Sequence, residues 1–221
     1  MALATDVMLL LLDPQKGKPI VAHTSVLYGL GGAQLLELAM SDSIRISGPG
    51  EAVRKGRVVP TAIAHPDPLV SGALATLRKG RPTNPPNAVM KLSHGLGDRI
   101  FAELRRDFRI REERDRVLGV FPRRRWYPTD RSNRAALRSQ LAAVLIDGRE
   151  PDQRESALIA ILSSINAVPN LFPEADKKVI RQRAKGIAAG EWAAKAVKDA
   201  VAAAQAATAT VIAAAAAAAA S

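Results

Sequence analysis

Thr24-Ser25-Val26-Leu27-Tyr28-Gly29-Leu30-Gly31-Gly32-Ala33-Gln34-Leu35-Leu36-Glu37-Leu38-Ala39-Met40 decides the fold. Apolar residues fall at 26, 27, 30, 35, 36, 38 and 39, the spacing of a helix with a buried face rather than the alternation of a strand. Thr24 is placed as its N-cap. Gly29, Gly31 and Gly32 would each weaken an isolated helix by about 1 kcal/mol relative to Ala, so they predict a neighbour that packs too closely for a side chain. The other reading of Gly29-Leu30-Gly31-Gly32 is a phosphate-cradling loop. Such loops join a strand to a helix with a Lys following; these glycines lie inside a helical pattern and no Lys follows.

Outward from that helix the chain keeps the same character. Before it, residues 6–12 are apolar and end in a turn at Asp13-Pro14-Gln15-Lys16-Gly17. After it, 44–46 and 57–59 are short β-like runs around Gly48-Pro49-Gly50 and predict a hairpin. Asp67-Pro68 opens a helix to about Leu77, because proline is favoured in a first turn. Two helical pieces, 87–94 and 98–108, are expected to break at Gly95 and Gly97. A second hairpin is expected from 117–121 and 124–127, with its turn at Pro122-Arg123. Helical patterns follow at 132–146, 152–167, 174–189 and from 191 onward, with Gly148, Pro151, Pro169, Pro173 and Gly190 between them. The expected fold is mainly α: a single-domain helical bundle over 1–205 with short β-hairpins, one protruding, and an Ala-rich helix end or frayed tail at 206–221.

Composition fits this. Of the 221 residues 48% are apolar, enough for a core, and only 4% are aromatic, which suits Ala- and Leu-lined helix packing better than a sheet sandwich. There is no cysteine, so disulfides, zinc–thiolate sites and cysteine nucleophiles are excluded. The three histidines, His23, His65 and His94, stand in no metal-ligand spacing, and no Gly-x-Ser-x-Gly elbow occurs. No catalytic residue, metal or cofactor is expected. The run 8–12 is too short for a signal sequence, and the alanines of 200–220 contribute little to membrane insertion. The expected location is the cytoplasm, peripheral to a membrane surface.

The net charge of +11 points to an anionic partner: nucleic acid, anionic lipid or acidic protein. Residues 99–134 hold twelve arginines against six carboxylates. Part of this is ordinary surface, with Glu112 and Arg116 spaced for a helical pair. The stretch Arg116-Val117-Leu118-Gly119-Val120-Phe121-Pro122-Arg123-Arg124-Arg125-Trp126-Tyr127 differs, because apolar residues adjoin three consecutive arginines and a Trp-Tyr pair. Tryptophan and tyrosine favour membrane interfaces, and arginine favours anionic headgroups. The alternative packs Val117, Leu118, Phe121 and Trp126 into the core with the arginines as a solvated rim. At roughly 1 kcal/mol per basic residue and 1.5–3 kcal/mol per buried Phe or Leu, such a hairpin supplies about 5–8 kcal/mol. That corresponds to a Kd from roughly 0.1 mM to the micromolar range, a reversible anchor that a dimer would strengthen.

The order of motifs resembles the Golgi phosphoprotein 3-like family, and within it the bacterial, actinobacterial-type members. The resemblance is carried by Met8-Leu9-Leu10-Leu11-Leu12-Asp13 with Gly17, by Gly29-Leu30-Gly31-Gly32-Ala33-Gln34-Leu35-Leu36-Glu37-Leu38-Ala39, by 116–126, and by Arg183-Ala184-Lys185-Gly186-Ile187-Ala188-Ala189-Gly190-Glu191-Trp192-Ala193. It implies a helical domain with a hairpin at about 112–128 used for membrane contact and oligomerisation, and a peripheral membrane protein rather than an enzyme. Eukaryotic relatives bind phosphatidylinositol 4-phosphate and act as sorting adaptors. Their headgroup pocket uses a Trp, an Arg on the Gly-containing helix and an Arg-x-x-Arg pair. The matching positions here are Ala22, Gly31, His94 and Gly97, so selectivity for that lipid is expected to be weak or lost. Candidate headgroup ligands are His23, Lys91, His94, Arg99, Arg123, Arg124 and Arg125. Candidate membrane or dimer contacts are Val117, Leu118, Val120, Phe121 and Trp126. Expected partners are an anionic lipid or phosphoinositide headgroup, a membrane surface, a second copy through the hairpin, and acidic protein tails. The competing reading is a nucleic-acid-binding, winged-helix-like protein built on the helix and hairpin of 24–60; against it, no helix carries a cluster of Arg, Asn and Gln.

Overall fold

A computed structural model describes residues 1–117 and 121–189, with the backbone alone for 115–117 and 121–123. The expected tail at 206–221, the helix from 191, and Leu118 and Val120 lie outside the described residues. The elements run α1 (Leu3–Leu11), α2 (His23–Met40), β1 (Ile44–Ile46), β2 (Val58–Pro60), α3 (Pro68–Arg78), α4 (Pro85–Ser93), α5 (Leu96–Arg106), β3 (Ile110–Val117), β4 (Phe121–Pro128), α6 (Arg134–Leu145), α7 (Gln153–Ser164), α8 (Val168–Leu171) and α9 (Lys177–Ala188). The fold is mainly α with two antiparallel hairpins, β1–β2 and β3–β4.

The apolar run near the start is the centre of the molecule. Every residue of α1 is buried, and the helix packs against α2, α5, α6 and α7. A helix apolar all round needs neighbours on every side, and these four supply them. Its exit turn is set by Asp13, whose carboxylate accepts from the N–H groups of Gln15 and Lys16 at 2.8 and 2.9 Å.

Gly29 and Gly31 of α2 serve close packing, as their helical placement implied. A Cβ on Gly31 would stand 2.5 Å from the carbonyl oxygen of Val89 in α4, and one on Gly29 would stand 3.0 Å from Ile165 Cδ1 after α7. Thr24 is not the N-cap: the cap lies two residues earlier, at Ala22, with no side-chain cap. Only His23 of α2 is exposed. The helix therefore has no face to lay in a nucleic-acid groove, which removes the geometric basis of the winged-helix reading.

Side-chain caps fix the starts of α3, α4, α7 and α9. Asp67 accepts from Leu69 N–H at 2.9 Å, Asn84 from Asn87 N–H at 3.0 Å, and Asp152 forms a capping box with Glu155. The α4–α5 break comes at Gly95, which takes a φ of +62°, while Gly97 continues inside α5. Pro169 lies within the short α8 rather than ending α7.

The second hairpin is longer than expected and its turn lies elsewhere. Val117 pairs with Phe121, so Pro122 and Arg123 belong to β4 and not to the turn. Proline is tolerated because a two-stranded sheet has two edges where its missing N–H is not needed. Glu112 and Arg116 therefore lie on a strand, where the helical pairing does not apply. Among the described residues no helix is long and apolar enough to cross a membrane.

Candidate functional site

The β3–β4 hairpin is fastened at its root. Ile110 is buried. The Trp126 ring stacks on Phe101 of α5 with centroids 4.6 Å apart and planes at 15°. The Trp126 N–H donates to the Gly17 carbonyl at 2.8 Å. Gly17 has a φ of +61°, and a Cβ there would meet the Tyr127 ring at 2.7 Å, so only glycine lets the 13–17 turn lie against β4. The Arg111 guanidinium sits over the Tyr127 ring at 5.4 Å. Trp126, a candidate membrane contact, thus has its ring engaged by Phe101.

Above the root, one carboxylate serves three arginines. Glu112 receives Arg114 at 2.9 Å, Arg105 of α5 at 3.1 Å and Arg124 at 3.7 Å, and its side chain is only 10% exposed. The Arg114 guanidinium, with Arg105 and Arg124, holds the Glu112 carboxyl below the usual carboxylate range. Arg114 and Arg124 are also cross-strand partners, and like charges directly opposed destabilise a sheet. Arg111 pairs with Glu113. Arg125 donates to the Lys16 carbonyl at 3.3 Å. The side chains of Val117, Phe121 and Arg123 lie outside what is described.

Beside the root is a cavity of about 200 Å³ whose lining includes Met8, His23, Leu27, Gly97, Asp98 and Phe101. His23, at the start of α2, is the one candidate headgroup ligand there. His94 holds the Met90 carbonyl through Nδ1 at 2.8 Å. Arg99 turns back to the His94 and Gly95 carbonyls, each at 3.4 Å, at the α4 C-terminus, and lines a groove with Glu103 and Arg106 beside Leu69 of α3. Lys91 brings its ammonium to Gly80 beyond α3. The six candidate cations with described side chains do not form one pocket: His23 lines the cavity, His94 and Arg99 sit on the α4–α5 corner, Lys91 on the α3 side and Arg124 and Arg125 on the hairpin. Sequence reading passed over Arg105 and Arg114. Arg114 stands between Glu113 and Asp115 and reads as neutralised surface, and only the strand register shows that it opposes Arg124.

The model of the family described as Golgi phosphoprotein 3 (GPP34) matches residues 3–204, nearly the whole chain. The chain belongs to the Golgi phosphoprotein 3 family. Among curated proteins no match was found. In this family member, Gly31 is closed off by α4, where the Val89 carbonyl and Ser93 leave no room for a Cβ. Gly97 adds no side chain to the cavity, and a Cβ there would first meet Met8 at 3.9 Å. Of the four positions that the sequence resemblance set against a headgroup pocket, Ala22, Gly31 and Gly97 carry no polar side chain, and the fourth is His94.

Proposed function

We propose that this Golgi phosphoprotein 3 family member is a peripheral protein of anionic membrane surfaces, held by the arginine face of its β3–β4 hairpin and without stereoselective phosphoinositide recognition. The observation that carries this reading is the single Glu112 carboxylate shared by Arg105, Arg114 and Arg124. One negative charge offsets one of three cations. Among the described residues no second carboxylate pairs with these three arginines, and anions from outside the chain relieve the remaining charge, including that of the opposed Arg114–Arg124 pair. A surface of lipid phosphates and carboxylates supplies them without demanding one geometry. The cavity at the root supports the second half of the reading. A monophosphorylated headgroup needs charge-assisted donors, whereas this lining offers His23 against Asp98, with apolar residues and glycines elsewhere.

Vesicle flotation tests both halves. Binding is expected to be equal on vesicles carrying phosphatidylinositol 4-phosphate, phosphatidylserine or cardiolipin at matched surface charge, and to fall with salt. Arg114→Gln with Arg124→Gln removes about 2 kcal/mol at roughly 1 kcal/mol per basic residue, a weakening of roughly 30-fold. Preferential flotation with the phosphoinositide sinks the non-selective part. Binding that survives the double substitution sinks the hairpin part.

A further inference from the structure

A second basic cluster lies on α9, in a part of the chain that the hairpin reading does not use. Helix α9 carries Lys177, Lys178, Arg181, Arg183 and Lys185 and no carboxylate. Arg181 and Lys185, one turn apart on one face, border a cavity of about 260 Å³ that is closed on its other sides by Ser163 and Asn166 at the end of α7 and by Val168 and Pro169 of α8. Asn166 takes a φ of +56° as the chain leaves α7. None of the four polar side chains makes a hydrogen bond or ion pair to another described residue. The carbonyls at the α7 C-terminus are the obvious internal partners for two cations, yet neither Arg181 nor Lys185 donates to them.

We infer that this recess binds a phosphate monoester, with Arg181 and Lys185 on the phosphate and Ser163 and Asn166 on its remaining oxygens or on hydroxyls of the group it esterifies. A monoester carries between one and two negative charges near neutral pH, which suits two cations with no carboxylate among the described lining residues. Arginine can grip two phosphate oxygens at once while lysine acts as a point charge. A recess of about 260 Å³ is larger than the anion alone and leaves space for a small polyol. The same chemistry is presented by soluble glycerol phosphate and by the glycerol phosphate headgroup of phosphatidic acid. The inference stands on α9 alone and does not depend on how the hairpin behaves.

Isothermal titration of the full chain with glycerol 3-phosphate should show one saturable site. Arg181→Gln with Lys185→Gln should weaken it at least tenfold. Lys177→Gln with Lys178→Gln, which removes the same charge from the same helix outside the recess, should change it less than twofold. If both pairs weaken binding equally, attraction is diffuse and the site is disproved. Absence of saturable binding, in titration and on vesicles containing phosphatidic acid alike, disproves it too. Flotation on phosphatidic acid against phosphatidylserine at equal charge identifies the source. A loss confined to phosphatidic acid in the Arg181/Lys185 variant assigns the site to a lipid, and titration without that loss assigns it to a soluble ester.

Discussion

Two residues show how far a side chain, or its absence, governs this molecule. Gly31 faces the backbone of α4, and a methyl there would stand 2.5 Å from the Val89 carbonyl oxygen. Gly31→Ala should cost about 1–3 kcal/mol as α2 and α4 are forced apart, lowering Tm by roughly 2–4 °C per kcal/mol in a chain of this size. An unchanged melting curve would show that the two helices yield freely. Phe108 is the opposite case. It takes a φ of +54° with 69% of its surface exposed, a conformation that costs a side-chain-bearing residue about 1 kcal/mol. Phe108→Gly should therefore stabilise the fold by up to about 1 kcal/mol in urea denaturation, since little burial is lost. The glycines were legible in sequence as packing residues because a helical pattern ran through them. Their partner was not, because Val89 is far along the chain and carries no mark of the contact. Phe108 was not legible either, since Arg-Asp-Phe-Arg reads as the continuation of a helix until Asp107 and Phe108 turn the chain into β3.

At the scale of elements, the hairpin and the turn before α2 form one unit. Trp126 is bonded to the Gly17 carbonyl and Tyr127 lies over the Gly17 Cα. Gly17→Ala adds both a clash and an unfavourable φ, so it should detach β4 from the 13–17 turn while leaving the helices folded. The expected readout is faster amide hydrogen exchange across residues 110–117 and 121–128 with little change in α2 or α7; uniform acceleration across the molecule would contradict it. The existence of a hairpin at 117–127 was readable from its Val, Phe, Trp and Tyr content, and its longer extent near 112–128 from the family resemblance. Its register was not. Pro122-Arg123 is a strong local turn signal, but the pairing is decided by Ile110 and Trp126 reaching the core, and those contacts put Pro122 and Arg123 within β4. Sequence also placed Trp126 among the membrane contacts, because a Trp-Tyr pair after arginines looks the same whether Phe101 waits beneath it or not.

At the scale of the whole molecule, a half-buried ionic cluster ties the first helix to the seventh. Arg154 of α7 donates to Asp6 Oδ2 at 2.5 Å and to the Met1 carbonyl at 2.7 Å, with Glu37 3.8 Å away; Glu37 in turn accepts from the Leu3 N–H at 2.7 Å. Burial pushes the Asp6 and Glu37 carboxyls above their usual range despite Arg154. A carboxyl raised in the folded state binds its proton more tightly there than in the unfolded chain. Its stabilisation is thus fully present below the unfolded value, 3.8 for aspartate, and is lost as pH rises through the folded value. The stability difference between the native chain and Asp6→Asn should accordingly shrink from about pH 3.5 to pH 7 in urea titrations. A difference that grows towards neutrality would mean that the Arg154 pair outweighs burial. Charge and apolar pattern announced a basic helical protein, but nothing in the sequence couples Asp6 to Arg154 or gathers Ser163, Asn166, Arg181 and Lys185 around one recess.

The complete burial of α1 also bears on how the chain is made. Asp6 and Arg154 are 148 residues apart, and α1 is closed over by α6 and α7 as well as by α2 and α5. At 5–20 residues per second, ribosomal synthesis separates the first helix from its last cover by roughly 7–30 s. For that interval a greasy segment waits without its full enclosure, exposed to chaperones and to neighbouring nascent chains. Yield in cells should therefore respond to translation speed and chaperone supply more than the stability of the finished fold would suggest.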